Sequence, residues 1–534
     1  VKGEKWYDPR TSNGEDENGE VVKRIREYKK MVWSNTLSYL TTFNNIHHLD
    51  FLAGYEIDDT YNDYLSGEAY NFTTPDKHAI SNGMKTVSVG GSDSRYRLVS
   101  YLSRLNYDYK NKYYLGASFR VDGSSRLHRD NRWGTFWSVS GAWRTIEEEF
   151  MQPVKDWLTD LRIRASYGVN GTLPSDYFGY MGLSSISGGY LEQPGIQMSQ
   201  IANPNLKWET NYNMNIGLDF GFWDRLNFTI EYYTRTTKNL LMDCPVSMTT
   251  GFSSYLMNIG EVKNKGIELT INSTNIKIKD FSWNTTFNLG HNSNKVVKLD
   301  GEQTQIVNGT QIHKVGSSYR TFYVQEFAGI NPETGNPLFY TNELDENGNY
   351  IKEITENSKN AQFIPYKHAE PTVNGGISNS LRYKWLDLNF LFSYQFGGYS
   401  YDTWAQKTEH GGYDSYANIP TYYRDSWKKP GDQTNIEVYM LGKSSSVSMH
   451  KITSSRRIHS TDYFRLKNIT FGITLPKEWT NKINIGNVRF YASASNLWTW
   501  AAYDNYDPEA VSAGSATQTT PPLKTVTFGL NINF

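Results

Sequence analysis

The sequence lacks several features that would place it in a familiar class of protein. It contains a single cysteine, Cys244, which excludes an intramolecular disulfide and any metal site built on several thiolates. No stretch of about 18 apolar residues occurs, and the mean hydropathy is -0.62, so a helical membrane protein is excluded. Neither charge is in excess, because 54 Lys and Arg residues oppose 55 Asp and Glu residues. This balance argues against a nucleic-acid partner.

Sequence motifs of common enzymes are missing as well. The chain has no phosphate-binding glycine loop, no nucleophile elbow and no HExxH pattern. The adjacent His47 and His48 would point to opposite faces of a strand, which favours solvated turn residues over a metal pair. Residues Asp122 to Arg126 bring serines near an acid without a histidine to activate them, so we interpret them as a tight loop. We therefore expect neither an enzyme nor a bound cofactor.

Aromatic residues and period-two alternation are what the sequence has in abundance. Tyr (39), Phe (25) and Trp (15) make up 15% of a chain that is polar on average. Apolar and polar residues alternate with period two along 161–170, 210–220, 386–396 and 524–534. Such alternation is typical of a transmembrane β-barrel, where every second residue faces lipid and aromatic girdles mark both interfaces.

Segments of this kind predict about 15 strands, each long enough to cross a bilayer at a tilt. They lie near residues 33–44, 47–58, 96–109, 113–121, 133–143, 160–170, 208–220, 225–238, 260–273, 281–292, 373–383, 385–396, 462–475, 487–496 and 523–534. The predicted fold is all-β, a transmembrane antiparallel barrel that occupies residues 1–534. A short helix is expected at 147–160, where apolar residues recur at helical spacing.

The connections between these strands alternate in length. The long ones lie near 59–95, 122–132, 171–207, 239–259, 293–372, 397–461 and 497–522, and the turns between them are short. Bacterial barrels have short periplasmic turns and long extracellular loops, so this alternation also predicts the orientation. A soluble β-sandwich has no reason to separate its loops by length in this way.

The two ends of the chain carry further hints. The last strand finishes on an aromatic residue, Phe534, and such an ending looks like the signal that the barrel-assembly machinery of Gram-negative bacteria reads. The segment that begins at Val1 has no signal peptide, so we expect either that processing has removed it or that the sequence starts within a longer protein. We favour the second explanation.

Several stretches make a resemblance to a known family specific. The sequence resembles the SusC/RagA family of TonB-dependent outer-membrane transporters from Bacteroidetes. The matching stretches are YLSRLNYDY (Tyr101 to Tyr109), VDGSSR, NRWGTFWSVSGAWR (Asn131 to Arg144), LRIRASYGVNG, NPNLKWET, NIGEVKNKGIEL (Asn258 to Leu269), AGINPETGNPLFY, FLFSYQFGG, DYFRLKNITFGITLP and VRFYASASNLWTW. They follow the family's order over most of the chain.

The resemblance implies a larger assembly than this sequence shows. It implies a barrel of about 22 strands with a plugged lumen, so that a plug, a TonB-contacting segment and the first strands would precede Val1. It also implies a SusD-like surface lipoprotein that acts as a lid, with 59–95, 293–372 and 397–461 as the natural surface for it. A dimer of two transporter–lid pairs is a further partner arrangement that we consider for this protein.

Charged residues on the polar faces of the strands are the first group of candidate site residues. They are Arg120, Arg162, Arg164, Asp219, Asp387 and Arg489. A basic residue on the lipid face would cost about 2–4 kcal/mol at the midplane, so we expect these side chains to point into the lumen. Contact with the plug is the favoured interpretation, and direct contact with the substrate is the alternative.

The loops contain the second group. Aromatic rings that can stack on sugars occur at Trp404, Tyr413, Tyr416, Tyr422 and Tyr423, although they can equally pack against the lid or within the loop. Asp504, Asn505 and Asp507 form an oxygen-rich stretch that can bind calcium. A turn built on Asp507 and Pro508 explains that stretch equally well.

These observations predict TonB-dependent import of a bulky nutrient across the outer membrane. The loop aromatics favour an oligosaccharide, and an oligopeptide is the alternative within the same family. A passive porin or a glycan-binding surface protein remains open as a different class of function. A plug-encoding segment upstream would distinguish the transporter from both.

Overall fold

The computed structural model describes residues 1–190, 193–299, 304–413, 418–442, 449, 451–480, 482, 485–516 and 520–533. The chain divides into two compact units. Unit 1 comprises Val1–Gly141, Tyr167–Tyr212 and Asn239–Ile259, and unit 2 comprises Ala142–Ser166, Asn213–Lys238 and Gly260–Phe534. No helix in the described part of the chain is long and apolar enough to cross a membrane.

Sixteen strands of the described residues belong to one sheet, in which each strand is hydrogen-bonded to the next one along the chain. They are β1 (Lys2–Tyr7), β2 (Glu20–Phe43), β3 (His47–Phe72), β4 (Gly83–Tyr109), β5 (Tyr113–Ser124), β6 (Trp133–Trp143), β7 (Leu158–Thr172), β8 (Glu209–Phe222), β9 (Leu226–Lys238), β10 (Gly260–Lys277), β11 (Phe281–Leu299), β12 (Val373–Tyr383), β13 (Leu386–Phe396), β14 (Tyr463–Thr474), β15 (Asn487–Ala501) and β16 (Thr525–Asn533). The expected all-β fold is confirmed, and each of the predicted strands is present.

The prediction was wrong about the first strands. It missed β1, and it placed a long loop at 59–95, where β3 continues to Phe72 and β4 already begins at Gly83. Both faces of these extensions carry polar residues, so no hydrophobic alternation marks them as strands in the sequence. Only the connection 73–82 remains of the loop that was expected there.

Cross-strand ion pairs take the place of hydrophobic alternation in these extensions. The Lys30 Nζ lies 2.8 Å from Asp58 Oδ2 on the neighbouring strand. On the next pair of strands, Arg97 Nε lies 2.9 Å from Asp59 Oδ2, and Arg95 also pairs with Asp59. Opposite charges on facing strands stabilise a sheet. These ion pairs therefore stabilise the extensions of β2, β3 and β4, where apolar residues are few.

The sheet has an apolar face that is open to the surroundings. On β16 the exposed apolar side chains are Val526, Phe528, Leu530 and Ile532, and the Phe528 side chain is 81% exposed. On β5, Leu115 and Phe119 are likewise exposed on the apolar face, while Gly116, Ser118 and Arg120 share the opposite, polar face. Soluble proteins rarely expose continuous apolar surface of this extent. This face therefore requires apolar surroundings.

Helices are short and few in the described residues. The α-helices are α1 (Thr403–Thr408) and α2 (Lys477–Thr480), and the 3₁₀ helices are Ile80–Asn82, Thr145–Glu147, Glu149–Val154, Met248–Thr250, Ser358–Asn360, Thr421–Asp425, Ser455–Arg457 and Pro508–Ala510. The helix expected at 147–160 was wrong in type, because two 3₁₀ helices occupy part of that segment and Pro153 lies inside the second. Proline removes a donor that an α-helix needs.

Small sheets build up the long connections. Unit 1 has the hairpins Leu183–Tyr190 with Gln193–Gln200 and Leu241–Pro245 with Ser254–Asn258. Unit 2 has a sheet of Gln305–Asn308, Gln311–Lys314, Thr321–Gln325 and Phe363–His368, a sheet of Phe327–Ile330, Pro337–Tyr340 and Ile354–Thr355, and a sheet of Ile458–Ser460, Tyr399–Asp402, Ser515–Ala516 and Val511–Ser512. The long connections expected near 293–372 and 397–461 are confirmed.

The hydrophobic cores lie mainly under these connections. In unit 1, Leu127, Phe136, Leu206 and Trp208 form one buried cluster. In unit 2 one cluster contains Phe339, Ala361, Met449 and Ile452, and another contains Phe322, Val324 and Tyr401. Buried apolar surface is what gives a loop a fixed shape, so the described parts of these connections around the clusters are well packed.

Tyrosine rings lie over glycines on neighbouring strands of the sheet. The directly opposed pairs are Tyr233 with Gly266, Tyr394 with Gly375 and Tyr491 with Gly529. A Cβ built on Gly375 would lie 2.7 Å from Tyr394 Cζ, so the ring occupies the space that a side chain would need. Such aromatic–glycine pairs fix the register between strands.

We expect Gly375→Ala to lower the free energy of unfolding by about 1–3 kcal/mol, because the added methyl group overpacks the site. The matched control is Gly141→Ala, since a Cβ there meets nothing closer than 3.8 Å. The control should be neutral or slightly stabilising. Unfolding midpoints in detergent, followed by the heat-modified gel mobility of the protein, measure both. Equal midpoints for the two variants would contradict the packing argument.

Candidate functional site

Asp219 is the centre of a charged cluster on the polar face of unit 2. Its Oδ2 lies 3.0 Å from an Arg162 Nη and 2.8 Å from the Arg164 Nε. The Thr229 hydroxyl donates to its Oδ1 over 2.9 Å, and Arg164 also contacts Glu231 at 2.5 Å. The Asp219 side chain is 9% exposed. A carboxylate with so little water needs such charged donors to remain ionised.

Gly217 makes this arrangement possible. Arg164 lies on β7 and Glu231 on β9, so the guanidinium must cross β8, which lies between them in the sheet. A Cβ on Gly217 would lie 2.9 Å from the Arg164 Cζ. Because glycine has no side chain, the guanidinium can lie flat across the middle strand.

The same arrangement recurs further along unit 2. Arg489 on β15 binds Asp387 on β13 in a bidentate way, with Nη2 to Oδ2 at 2.7 Å and Nε to Oδ1 at 3.2 Å. Gly472 on β14 lies directly opposite Asp387. A Cβ at Gly472 would overlap both charged groups. Here too a glycine on the middle strand leaves room for the ion pair.

In unit 1 a serine, rather than a glycine, is the small residue on the middle strand that an arginine crosses. Arg120 on β5 donates to the Ser100 hydroxyl on β4 at 2.8 Å and reaches Glu56 on β3 at 3.6 Å. Ser100 is opposite Glu56 in the register, and Arg120 also binds Asp122 at 2.7 Å. Three arginines therefore cross a middle strand at a small residue to reach an acid.

The structure brings Arg162 and Arg164 to Asp219, Arg489 to Asp387 and Arg120 to Asp122, and the sequence did not predict these pairings. Pairing depends on the register between strands, which periodicity alone does not supply. Ser100, Gly217 and Gly472 were missed. A small residue on the polar face of a strand, between strands that carry an arginine and an acid, is the signal that could have found them. Contact of the predicted charges with a plug stays a prediction.

A cavity of about 280 Å³ opens among the loops of unit 2. Two of the predicted aromatic residues, Trp404 and Tyr422, line it, and Trp404 is 44% exposed. Asp402, Asn418 and Asn505 contribute polar groups to the same wall. An aromatic surface with convergent amides can both stack on a ligand and orient it.

The other predicted aromatic residues lie elsewhere. Tyr413 is exposed, whereas Tyr423 is buried, and its burial raises its pKa. Tyr423 therefore packs within the loops in this structure. Tyr416 lies outside the described residues, as does Phe534.

Asp402 holds the start of α1 in place beside the cavity. Its Oδ1 accepts hydrogen bonds from the backbone N–H groups of Trp404 at 3.0 Å and Ala405 at 2.8 Å, which caps the helix. Its Oδ2 accepts the Tyr503 hydroxyl at 2.9 Å. Sequence reasoning missed Asp402, although an Asp directly before Thr403 is a helix-start signal.

Buried polar and charged residues contact the side chains that line the cavity. Glu409 pairs with the buried Arg457 and accepts the Tyr422 hydroxyl, so it fixes one of the two rings that line the cavity. The His459 ring stacks on Tyr503 with the ring centroids 3.7 Å apart. Burial lowers the pKa of His459 to about 4, although the carboxylate of Asp402 acts in the opposite direction. The imidazole is therefore neutral in the folded loops.

The predicted calcium stretch is engaged in other contacts. Asp507 Oδ2 lies 2.6 Å from Arg465 Nη2, and its Oδ1 accepts the Glu509 N–H at 2.9 Å. The Asn505 amide donates to the Tyr503 hydroxyl at 2.6 Å. In the described residues no group of three or more His, Cys, Asp or Glu side chains is arranged to hold a metal ion. Calcium binding at Asp504, Asn505 and Asp507 stays a prediction.

We expect Asp219→Asn to lower the free energy of unfolding by about 1–3 kcal/mol, since Arg162 loses its carboxylate and Arg164 keeps only that of Glu231. The value is below that of a fully buried pair because both arginines are partly exposed. Asp224→Asn, in the exposed β8–β9 turn, is the matched control and should change stability by less than about 0.5 kcal/mol. Denaturant unfolding of the detergent-solubilised protein compares the two. A loss no greater than that of the control would show that the cluster is not stabilising.

The loop network should loosen in mild acid. The folded pKa of His459, about 4, lies below its ordinary value of 6.5, so the unfolded loops bind the extra proton first. Stability is complete above about pH 6.5 and falls as the pH drops towards about 4. Hydrogen exchange of peptides spanning 399–402 and 458–460, corrected for intrinsic rates, measures this. His459→Phe keeps the ring but cannot titrate, so its exchange should be insensitive to pH in that window. An identical pH response in wild type and variant would exclude His459 as the cause.

Comparison with known proteins gives the family. The family described as TonB dependent receptor-like, beta-barrel matches residues 4–352. TonB-dependent receptor P3 of Formosa agariphila is 31% identical over 547 residues, which cover 97% of this chain and 53% of the receptor. TonB-dependent receptor SusC of Bacteroides thetaiotaomicron is 29% identical over 541 residues, which cover 97% of this chain and 51% of SusC. The chain spans about half the length of the curated relatives it matches.

Solved structures agree with these matches. The structure of the RagAB peptide transporter has a TM-score of 0.86 and 27% sequence identity to this chain, and the match covers 97% of this chain and 56% of the other. The RagAB peptide importer in its closed-closed state has a TM-score of 0.87 at 26% identity, over 100% of this chain and 58% of that chain. The expected resemblance and the expected outer-membrane location are confirmed. The chain belongs to the TonB-dependent receptor β-barrel family, and it is of the SusC/RagA type.

Proposed function

We propose that this protein imports a bulky oligosaccharide across the outer membrane in a TonB-dependent way. The observation that carries the proposal is the loop cavity, where the Trp404 and Tyr422 rings meet the side-chain amides of Asn418 and Asn505. Aromatic rings stack on the C–H faces of sugars, and amides bind their hydroxyls. The near-neutral charge of the chain gives no reason to prefer a strongly charged cargo.

An oligopeptide is the second candidate cargo. The likeness to the RagAB peptide transporter favours it. The aromatic rings of the loop cavity can also hold apolar peptide side chains. Identification of the molecule that is bound in the native protein separates the two.

The proposal includes partners. A SusD-like lipoprotein would cover the long connections after β11 and β13 as a lid, and TonB would supply energy from the inner membrane. Neither step needs a catalytic residue, so we propose that the protein is not an enzyme. A dimer of transporter–lid pairs remains part of the proposal.

The complex should be purified from outer membranes in mild detergent, with mass spectrometry of its proteins and small molecules. We expect a SusD-like lipoprotein together with a glycan. Recovery of peptides in place of a glycan would show that the cargo is an oligopeptide, the second candidate. A protein that comes out without a lipoprotein and without cargo would contradict active import.

Trp404→Ala should weaken glycan binding and uptake about three- to tenfold, since one aromatic contact is worth about 0.5–1.5 kcal/mol. Trp479→Ala is the matched control. It removes an exposed tryptophan from α2, in the short connection at the other end of β14. Uptake of labelled glycan into cells that carry each variant measures the effect. Equal uptake by both variants would remove Trp404 from the proposed site.

A further inference from the structure

A second cavity, of about 440 Å³, lies in unit 2 on the polar face of β8 to β11. Four asparagines line it, namely Asn213, Asn215, Asn264 and Asn292. Its volume is within the range of about 300–1,000 Å³ that small-molecule sites occupy. It is formed by residues of the strands rather than of the loops, so it is separate from the cavity at Trp404.

The Tyr233 ring forms a fixed platform in this cavity. It lies over Gly266, where a Cβ would come within 2.7 Å of the ring carbon Cε1. The Tyr233 hydroxyl donates to Asn292 Oδ1 at 2.9 Å. A ring held at both ends in this way needs no ordering when a ligand arrives, which lowers the entropic cost of binding.

Two negative and two positive side chains meet at the cavity, so that it has no net charge. Glu231 and Glu268 are directly opposite each other in the register, an arrangement that destabilises a sheet unless the charges are compensated. Arg164 neutralises Glu231 at 2.5 Å, and Arg235 adds a second positive charge to the lining that contains Glu268. A site without net charge favours a neutral ligand over a free cation or anion.

Some polar groups are available to a ligand. Asn215 and Glu268 are exposed on the polar face. Within the ranges that the structure describes, neither side chain is engaged in an ion pair or a hydrogen bond. A carboxylate accepts two hydroxyls at once, and an amide donates and accepts at the same time. Adjacent hydroxyls on a ring carry the complementary set of donors and acceptors.

We propose that this cavity binds a sugar ring of a neutral oligosaccharide, as a second site within the strand wall. The ring would stack on Tyr233 while its hydroxyls bind Glu268 and the asparagines. This inference rests on the proposed import of a glycan and adds a place where the cargo binds after it leaves the loops. It assigns Glu268, Asn215 and Tyr233 to the binding of cargo.

A polypeptide fits the cavity less well. One way in which an extended peptide gains affinity is to add a strand to an open sheet edge. Strands β8 to β11 are paired with neighbours on both sides, so their backbone groups are already used. A peptide in this cavity would depend on side-chain contacts alone.

The test uses the complete protein in detergent and saturation-transfer NMR with three neutral disaccharides, namely maltose, cellobiose and mannobiose. The tripeptide Gly-Gly-Gly serves as the competing probe. We expect at least one disaccharide to bind, and Glu268→Gln and Asn215→Ala each to weaken that binding about five- to tenfold. Glu261→Gln on the same strand, β10, does not line the cavity and is the matched control. Heat-modified gel mobility shows that each variant is folded.

The binding results distinguish the wall site from the loop cavity and a sugar from a peptide. Disaccharide binding that depends on both Glu268 and Trp404, with loss of one part of the signal in each single variant, supports two sites. Binding that depends on Trp404 alone overturns the wall site and leaves glycan import standing. Tripeptide binding that Glu268→Gln abolishes overturns the sugar assignment and favours a peptide. A disaccharide signal that is the same in Glu268→Gln and Glu261→Gln, or no disaccharide signal, also overturns the wall site.

Discussion

The register between antiparallel strands is the constraint on which the rest of this structure depends. Side chains alternate between two faces, so a slip of one residue would move every charge to the apolar face. In lipid such a slip costs several kcal/mol per backbone or charged group, because no water compensates for lost partners. Tyr–Gly pairs such as Tyr491 with Gly529 hold the register on the polar face, and Tyr394 with Gly375 holds it on the apolar face.

The arrangement of arginines follows directly from that register. A guanidinium can cross a strand only where the side chain below it is small, and Ser100, Gly217 and Gly472 meet this condition. Each arginine then lies along the sheet and reaches an acid two strands away, rather than projecting from the wall. The acids and bases compensate each other locally. The polar face is therefore rich in charged groups without being strongly attractive to ions of one sign.

The sequence predicted the parts of the fold in which one physical signal is sufficient. Alternation located β5 to β16, and the lengths of the connections separated loops from turns. It failed at β1 and at the ends of β2 to β4, where polar residues on both faces remove the signal and cross-strand pairs such as Lys30 with Asp58 replace it. Of the residues that line the loop cavity, the sequence singled out Trp404, Tyr422 and Asn505 but not Asp402 or Asn418. These residues come together at the cavity only because separate loop segments fold against each other, and local sequence patterns do not predict that contact.

The loops and the strands are constrained in different ways. A wall residue is tied to its register, so its side chain must satisfy one face of one sheet. The loops have cores of their own, and buried groups such as Arg457 and Glu409 fix the shape of the cavity without reference to the sheet. Changes in the loops can therefore alter which cargo binds while the sheet stays intact. Under the import that we propose, specificity would lie in the loops around Trp404, and a wall whose charges compensate each other would serve any cargo of the same chemical class.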